Sequence, residues 1–164
     1  MRLATALVVL ATLAAPVSAQ SGATASAAAH PDFSGHWVLN PAASEGMGMP
    51  QSMTMQITQD EKTLKVDRAE VSQMGTQSQT LNYTLDGTSA KNTVSGNGMT
   101  LDLNTTSAWQ GSVLQFTTTA DVAGQAFTQV DHWSLDPDGK TLHITSDVSV
   151  AGQSATIKLA FAKQ

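Results

Sequence analysis

The chain contains no cysteine. No disulfide can staple it, so its stability must come from a buried core. Aromatics are scarce, with three Trp, one Tyr and four Phe in 164 residues, and each is expected to be used in packing. Charged residues make up 13 % of the chain with a formal net charge of −5, and the acids are scattered. That balance argues against nucleic acid and anionic membrane surfaces as partners. There is no Gly-x-Ser-x-Gly elbow, phosphate-cradling loop or paired-carboxylate signature, so neither a catalytic residue nor a cofactor is indicated. His30, His36, His132 and His143 lack the spacings that favour a metal site. Asp131 and His132 are strand neighbours and project to opposite faces, so they form no dyad. No amphipathic helix of ordinary length is visible.

The one long apolar run is N-terminal. Arg2 precedes Leu3 to Ala15, and Val17-Ser18-Ala19 supplies small residues for cleavage. The run is shorter than the about 20 residues a bilayer span needs, so residues 1–19 read as a secretory signal peptide. Arg2 leaves with it, taking the formal charge from −5 to −6. No Cys follows to carry a lipid, and the mature protein is expected in the periplasm or outside the cell, without a membrane span. Residues 20–31 read as a flexible tether, and 32–164 as a single domain of ordinary size.

What the chain has in abundance is period-two alternation. Phe127, Trp133 and Leu135 share one phase, as do Leu142, Ile144, Val148 and Val150, then Ile157, Leu159 and Phe161. The alternation predicts strands at about 33–39, 52–59, 63–72, 77–85, 92–95, 99–109, 112–122, 125–135, 140–150 and 154–162. Asp86-Gly87, Asn97-Gly98, Gln110-Gly111 and Ala123-Gly124 mark hairpin turns between them. Val122-Ala123-Gly124-Gln125 recurs as Val150-Ala151-Gly152-Gln153, the same turn chemistry used twice. Long strands joined by tight turns give an antiparallel up-and-down meander. Such a sheet hides its edges by closing into a barrel of about eight to ten strands, or by folding into a sandwich. Around Leu142 the opposite phase holds His143, Thr145, Asp147 and Ser149, a wet exterior that predicts a soluble, all-β barrel of monomeric type.

Several core phases carry polar residues. Phe127, Gln129, Asp131, Trp133 and Leu135 share one side of a strand, and Leu64, Val66, Arg68 and Glu70 another. Ser146 interrupts an apolar set. A barrel of this size can hold a small ligand in an apolar cavity with a few polar anchors. Arg68, Gln129 and Asp131 are the candidate anchors, with Tyr83, Trp109 and Trp133 as further wall residues. The competing explanation is a bulge near Arg68 that flips the phase, or a wet rim. Met47, Met49, Met53 and Met55 suggest a second chemistry, because thioethers suit Cu(I). Against it, Met53 and Met55 share a core phase with Ile57. The loop carrying Met47 and Met49 could also form a flexible lid over the barrel mouth.

The first strand reads Asp32-Phe33-Ser34-Gly35-His36-Trp37-Val38-Leu39-Asn40, followed by Pro41 and Ser44. Its Gly35-x-Trp37 core resembles the opening signature of lipocalins, in which the Trp plugs the closed end of the barrel. The longer pattern is similar to small secreted bacterial proteins of lipocalin-like (calycin-like) appearance. Classical lipocalins place a late Arg over that Trp; here only Lys158 and Lys163 are available. Asn82-Tyr83-Thr84 does not match the second lipocalin signature. The resemblance implies a non-enzymatic barrel binding a small hydrophobic or amphipathic ligand, such as a lipid. The alternatives are an envelope scaffold or interaction module with a filled barrel, and periplasmic copper binding through residues 47–55.

Overall fold

The computed structural model describes residues 30–73, 75–96 and 98–164. The residues read as a signal peptide, and those read as a tether up to residue 29, lie outside the described residues, as does Asn97 of the expected Asn97-Gly98 turn. The described chain forms β1 (Gly35–Leu39), β2 (Ser52–Gln59), β3 (Thr63–Ser72), β4 (Gly75–Thr84), β5 (Ala90–Gly96), β6 (Met99–Gln110), β7 (Val113–Val122), β8 (Gln125–Leu135), β9 (Thr141–Val150) and β10 (Gln153–Lys163). A single turn of 3-10 helix at Pro41–Ala43 is the one helical element among them. The ten strands form one antiparallel sheet in the order β4-β3-β2-β1-β10-β9-β8-β7-β6-β5. This is the meander expected from the alternation, rolled up so that the first strand pairs with the last.

The β1–β10 seam is short. Trp37 faces Lys163, Val38 faces Ala162 and Leu39 faces Phe161. Beyond Leu39 the chain continues to cover β10. Asn40 donates its amide to Ala160, and Glu45 and Lys158 exchange both backbone hydrogen bonds at 2.8 Å. Lys158 Nζ reaches Glu45 Oε1 at 2.6 Å. The loop after β1 is therefore fastened to the wall as far as Glu45, rather than swinging as the expected lid.

The opposite seam, between β4 and β5, has no backbone ladder. A side chain closes it instead. Asn92 Oδ1 accepts from the Asn82 amide at 2.8 Å, and its Nδ2 donates to the Asn82 carbonyl at 2.9 Å. Asn92 thus satisfies both peptide groups of Asn82 much as a neighbouring strand would. Ser107 Oγ donates to the Thr84 carbonyl nearby.

One end of the barrel is plugged. Phe33 and Trp37 are fully buried. Phe33 and Ser34 leave the strand to cross beneath the sheet, which is why β1 starts at Gly35 rather than Phe33. The Trp37 indole donates to the Phe33 carbonyl at 2.8 Å, and the Phe33 amide donates to Gln59 Oε1 at 3.0 Å. Lys163 Nζ stands 5.1 Å from the Trp37 ring centroid, so a lysine supplies the late cation that the lipocalin resemblance led one to seek as arginine. Gly35 has φ +141°, and a Cβ there would come within 2.6 Å of Lys163 Cε. The glycine of Gly35-x-Trp37 thus lets the lysine stem cross the strand onto the ring.

The repeated Val-Ala-Gly-Gln turns have a common geometry. Ala123 and Gly124 have φ 55° and 81°, and Ala151 and Gly152 have φ 52° and 81°. Positive φ at both central positions suits the right-handed twist of a two-residue hairpin, but an alanine there is strained. Replacing Ala123 and Ala151 by Asn, which tolerates this region, is expected to raise unfolding free energy by about 0.5–1 kcal/mol per site. Urea unfolding followed by Trp fluorescence checks this; an unchanged or lowered midpoint would contradict the assigned turn geometry.

Candidate functional site

The strand pairings run without a break on every wall, so one face of each strand looks into the lumen. The register of β3 with β2 runs unbroken from Leu64–Gln59 to Val71–Ser52, and with β4 from Thr63–Thr84 to Ser72–Gly75. No bulge flips the phase near Arg68. Arg68 remains on the side of Leu64 and Val66 and faces inward.

The interior is apolar and filled near the plugged end, where Phe33, Trp133 and Phe116 meet edge to face at 5.9 and 5.1 Å between centroids. Farther along, it opens into a cavity of about 220 Å³. That is slightly below the about 300 Å³ at which pockets for drug-sized molecules begin. Met53, Met55, Leu81, Leu103, Phe127, Ile144 and Phe161 contribute apolar wall, and Arg68, Gln79, Tyr83, Thr118, Gln129, Asp131, Trp133 and Ser146 contribute polar atoms.

Two polar clusters stand on opposite walls, since β3 and β8 lie five places apart in the strand order. On one wall, Arg68 donates from a terminal nitrogen to Gln79 Oε1 at 2.6 Å, and Gln79 Nε2 donates to Gln77 at 3.2 Å. Glu70 is 3.8 Å from Arg68 Nε, too far for a hydrogen bond. On the other wall, Asp131 accepts from Ser146 Oγ and, at 2.9 and 3.0 Å, from Gln129 Nε2. Burial pushes the Asp131 carboxyl above its ordinary value, while Ser146, Gln129 and the Arg68 charge pull it back. Asp131 is half-buried and lines the cavity. Burial also raises the Tyr83 phenol, the Asp131 charge adds to that rise, and Arg68 opposes it.

Other buried polar side chains are satisfied. Thr105 and Thr118 bond each other at 2.9 Å, and Asn92, Ser107 and Ser146 have the partners given above. Two buried side-chain nitrogens among the described residues have none: Arg68 Nε and Trp133 Nε1. Both belong to residues of the cavity wall. An unmet buried donor costs about 1–3 kcal/mol, so its presence in a cavity wall calls for an explanation.

Of the six residues singled out from sequence, Arg68, Tyr83, Gln129, Asp131 and Trp133 line this cavity. Trp109 does not. It lies toward the plugged end, stacked on His30 at 4.1 Å and near Phe33 at 6.1 Å. Its position at the far end of β6 places it below the cavity, so its inward phase leads to packing rather than to a site. Gln79 and Thr118 were missed, although each continues an inward phase, with Leu81 and Tyr83 on β4 and with Leu114 and Phe116 on β7. The methionines do not present their thioethers on one side. Met53 and Met55 are 7 % and 3 % exposed inside the barrel, while Met47 is 85 % exposed on the loop. Among the described residues, no group of three or more His, Cys, Asp or Glu could hold a metal ion, and no helix is long and apolar enough to cross a membrane.

A ten-strand antiparallel barrel plugged by a first-strand tryptophan and hollow toward the other end has a lipocalin-like, calycin-type fold, and solved structures share it. A secretory abundant heat soluble protein from Ramazzottius varieornatus superposes with a TM-score of 0.55 at 13 % identity, over 80 % of this chain and 94 % of that one. Secretory abundant heat soluble protein 4 from the same organism gives 0.51 at 14 %, over 80 % and 94 %. Zebrafish ileal bile acid-binding protein complexed with cholic acid gives 0.51 at 16 %, over 80 % and 98 %. No protein-family model matches the sequence, and no curated protein matches it either.

Asp131 provides a pH test of the site. Its carboxyl is harder to ionise in the folded than in the unfolded chain. Its contribution to stability is therefore fully present below the ordinary value of 3.8 and is lost as pH rises through the raised one. Asp131→Asn keeps an acceptor but cannot ionise. It is expected to be more stable than the wild type at pH 8, with the gap closing as the pH falls towards 4. Urea unfolding of both proteins across that range checks this; a gap that widens on acidification would contradict the assignment.

Proposed function

We propose that this protein is an exported, non-enzymatic binder of a small apolar or amphipathic molecule, held reversibly in the barrel lumen. The observation that carries the reading is the cavity itself: a partly open space inside the barrel, lined by apolar side chains and by polar groups on two walls. Burial of apolar ligand surface would drive binding at roughly 25 cal/mol per Å², and the polar walls would orient the bound molecule. The bile acid-binding protein of the same fold, solved with cholic acid, supports the reading by analogy of architecture alone. A barrel serving only as a scaffold or interaction module has no use for a hollow interior with polar side chains on two of its walls. Copper binding through residues 47–55 is disfavoured by the burial of Met53 and Met55.

Export rests on the signal peptide read in residues 1–19. On that reading the protein works in the periplasm or outside the cell, and N-terminal sequencing of the mature protein is expected to begin at Gln20.

The test is occupancy. Native mass spectrometry of protein purified from its own host is expected to show retained small-molecule mass, and titration with apolar compounds to quench Trp fluorescence. Leu103→Trp, which fills the cavity from its wall, is expected to weaken binding at least about tenfold while still unfolding cooperatively. A clean mass spectrum, together with no response to any apolar compound, would overturn the proposal.

A further inference from the structure

The polar side chains of the lumen are sorted by depth. Counted from the plugged end, the inward residues of β8 run Trp133, Asp131, Gln129 and Phe127, and all four line the cavity. The order is apolar, polar, polar, apolar. Neighbouring strands repeat it. On β7, Thr118 follows Leu114 and Phe116. On β9, Ser146 follows Leu142 and Ile144. On β6, Thr105 gives way to Leu103 and Leu101 towards the mouth. The register sets these polar residues side by side: Thr105 faces Thr118, Thr118 faces Gln129, and Asp131 faces Ser146. Across the lumen, Arg68 follows Leu64 and Val66 on β3 and pairs with Gln79 on β4. The polar groups therefore form a girdle. An apolar floor lies beneath it, and on the β6 and β8 side an apolar zone lies above it.

The girdle carries opposite charges on opposite walls. Arg68 and Asp131 are the one cation and the one carboxylate among the described residues that line the cavity, and they make their hydrogen bonds to their own walls. Each keeps bonding capacity. Arg68 gives one hydrogen bond, to Gln79, and its side chain is 29 % exposed; a guanidinium has more donors than that. Asp131 Oδ2 accepts only from Gln129, and a carboxylate oxygen has room for a second donor. The Arg68 charge acts on the Asp131 carboxyl, and both act on the Tyr83 phenol.

We infer that the lumen takes molecules with one internal secondary amide between two short apolar arms, the amide C=O accepting from Arg68 and its N–H donating to Asp131. This rests on the lumen being the binding site proposed above and adds the kind of polar group and its place along the ligand. A planar trans amide points its C=O and N–H to opposite sides of the chain that carries it. In a chain lying along the barrel axis, one therefore meets each wall. The arms fill the floor and the upper zone, where burial of apolar surface drives binding, and neither amide group is buried without a partner. An isomer with its polar group at one end cannot do both. With its head in the girdle it leaves one apolar zone empty, and with its head at the mouth it puts hydrocarbon against Arg68 and Asp131. The cavity volume of about 220 Å³ keeps the arms short.

The test compares N-butylpentanamide with its isomer nonanamide, and with the ester butyl pentanoate, which accepts but cannot donate. Each is titrated calorimetrically at pH 8 into the full mature protein. N-butylpentanamide is expected to bind at least about tenfold more tightly than nonanamide and about fivefold more tightly than the ester. Asp131→Asn is expected to weaken the internal amide while leaving the ester unchanged, whereas Arg68→Met weakens both. A general loosening of the lumen by Asp131→Asn would lower both ligands together and would contradict the assigned N–H contact. Nonanamide binding as tightly as N-butylpentanamide would overturn the ligand class while leaving the lumen as a binding site, and so would an ester that matches the amide. If none of the three binds, and the wider series of apolar compounds also fails, both conclusions fall. The comparison of isomers uses the unaltered protein, so it decides the matter even if a variant does not fold.

Discussion

The pairing of the first strand with the last is the contact on which the rest of this molecule depends. Within the sheet, β1 to β4 and β5 to β10 are joined by a backbone ladder only where Trp37, Val38 and Leu39 meet Lys163, Ala162 and Phe161. Without that seam the meander would be two separate ribbons, each with an apolar face in water. The plug reinforces it: Trp37 is held by the Phe33 carbonyl on one side and covered by Lys163 on the other. Across the barrel, where no ladder exists, Asn92 makes the matching closure with a side chain. Cysteine is absent, so these two seams and the buried wall take the part that disulfides play in many small secreted domains.

Closure sets the terms for the interior. A filled barrel of this size would place apolar side chains at every inward position and bury no charge. Here the inward phases carry Arg68, Gln79, Gln129, Asp131 and Ser146 about halfway along the strands. Burying such groups is costly unless they are paired, and most of them are paired with one another. Two buried nitrogens, Arg68 Nε and Trp133 Nε1, have no hydrogen-bond partner, and both residues line the cavity. Empty space among inward polar side chains makes the lumen, rather than any surface groove, the region where function is sought.

Most of the sheet was legible in the sequence because period-two alternation leaves little choice of face, and Gly-containing turns fix the register. The strand from Phe127 to Leu135 and its Arg68-bearing counterpart could be assigned inward phases without coordinates. Three features could not. Trp109 shares an inward phase, but sequence does not tell height along a barrel, and it fell in the plug. The role of Lys163 depends on a contact across more than 120 positions of chain, where no local pattern points. The fastening of Glu45 to Lys158 turned a loop that read as a lid into part of the wall; pairing of an irregular segment with a distant strand leaves no periodic signature. The polar contacts between walls, such as Gln79 with Arg68, follow from register and could have been sought by extending each core phase past its last apolar residue.

The most direct measurement is the response of the three indole N–H signals in a nitrogen–proton correlation spectrum as a small apolar compound is added. The Trp37 indole is already bonded to the Phe33 carbonyl at 2.8 Å, and Trp109 is stacked under His30 at 4.1 Å, both away from the cavity. A hollow, ligand-accepting lumen predicts that the Trp133 signal moves, together with the amides around Arg68, Gln79 and Asp131, while the Trp37 and Trp109 signals stay in place. Shifts confined to the outer face, or a Trp133 signal that does not move at saturating ligand, would contradict it.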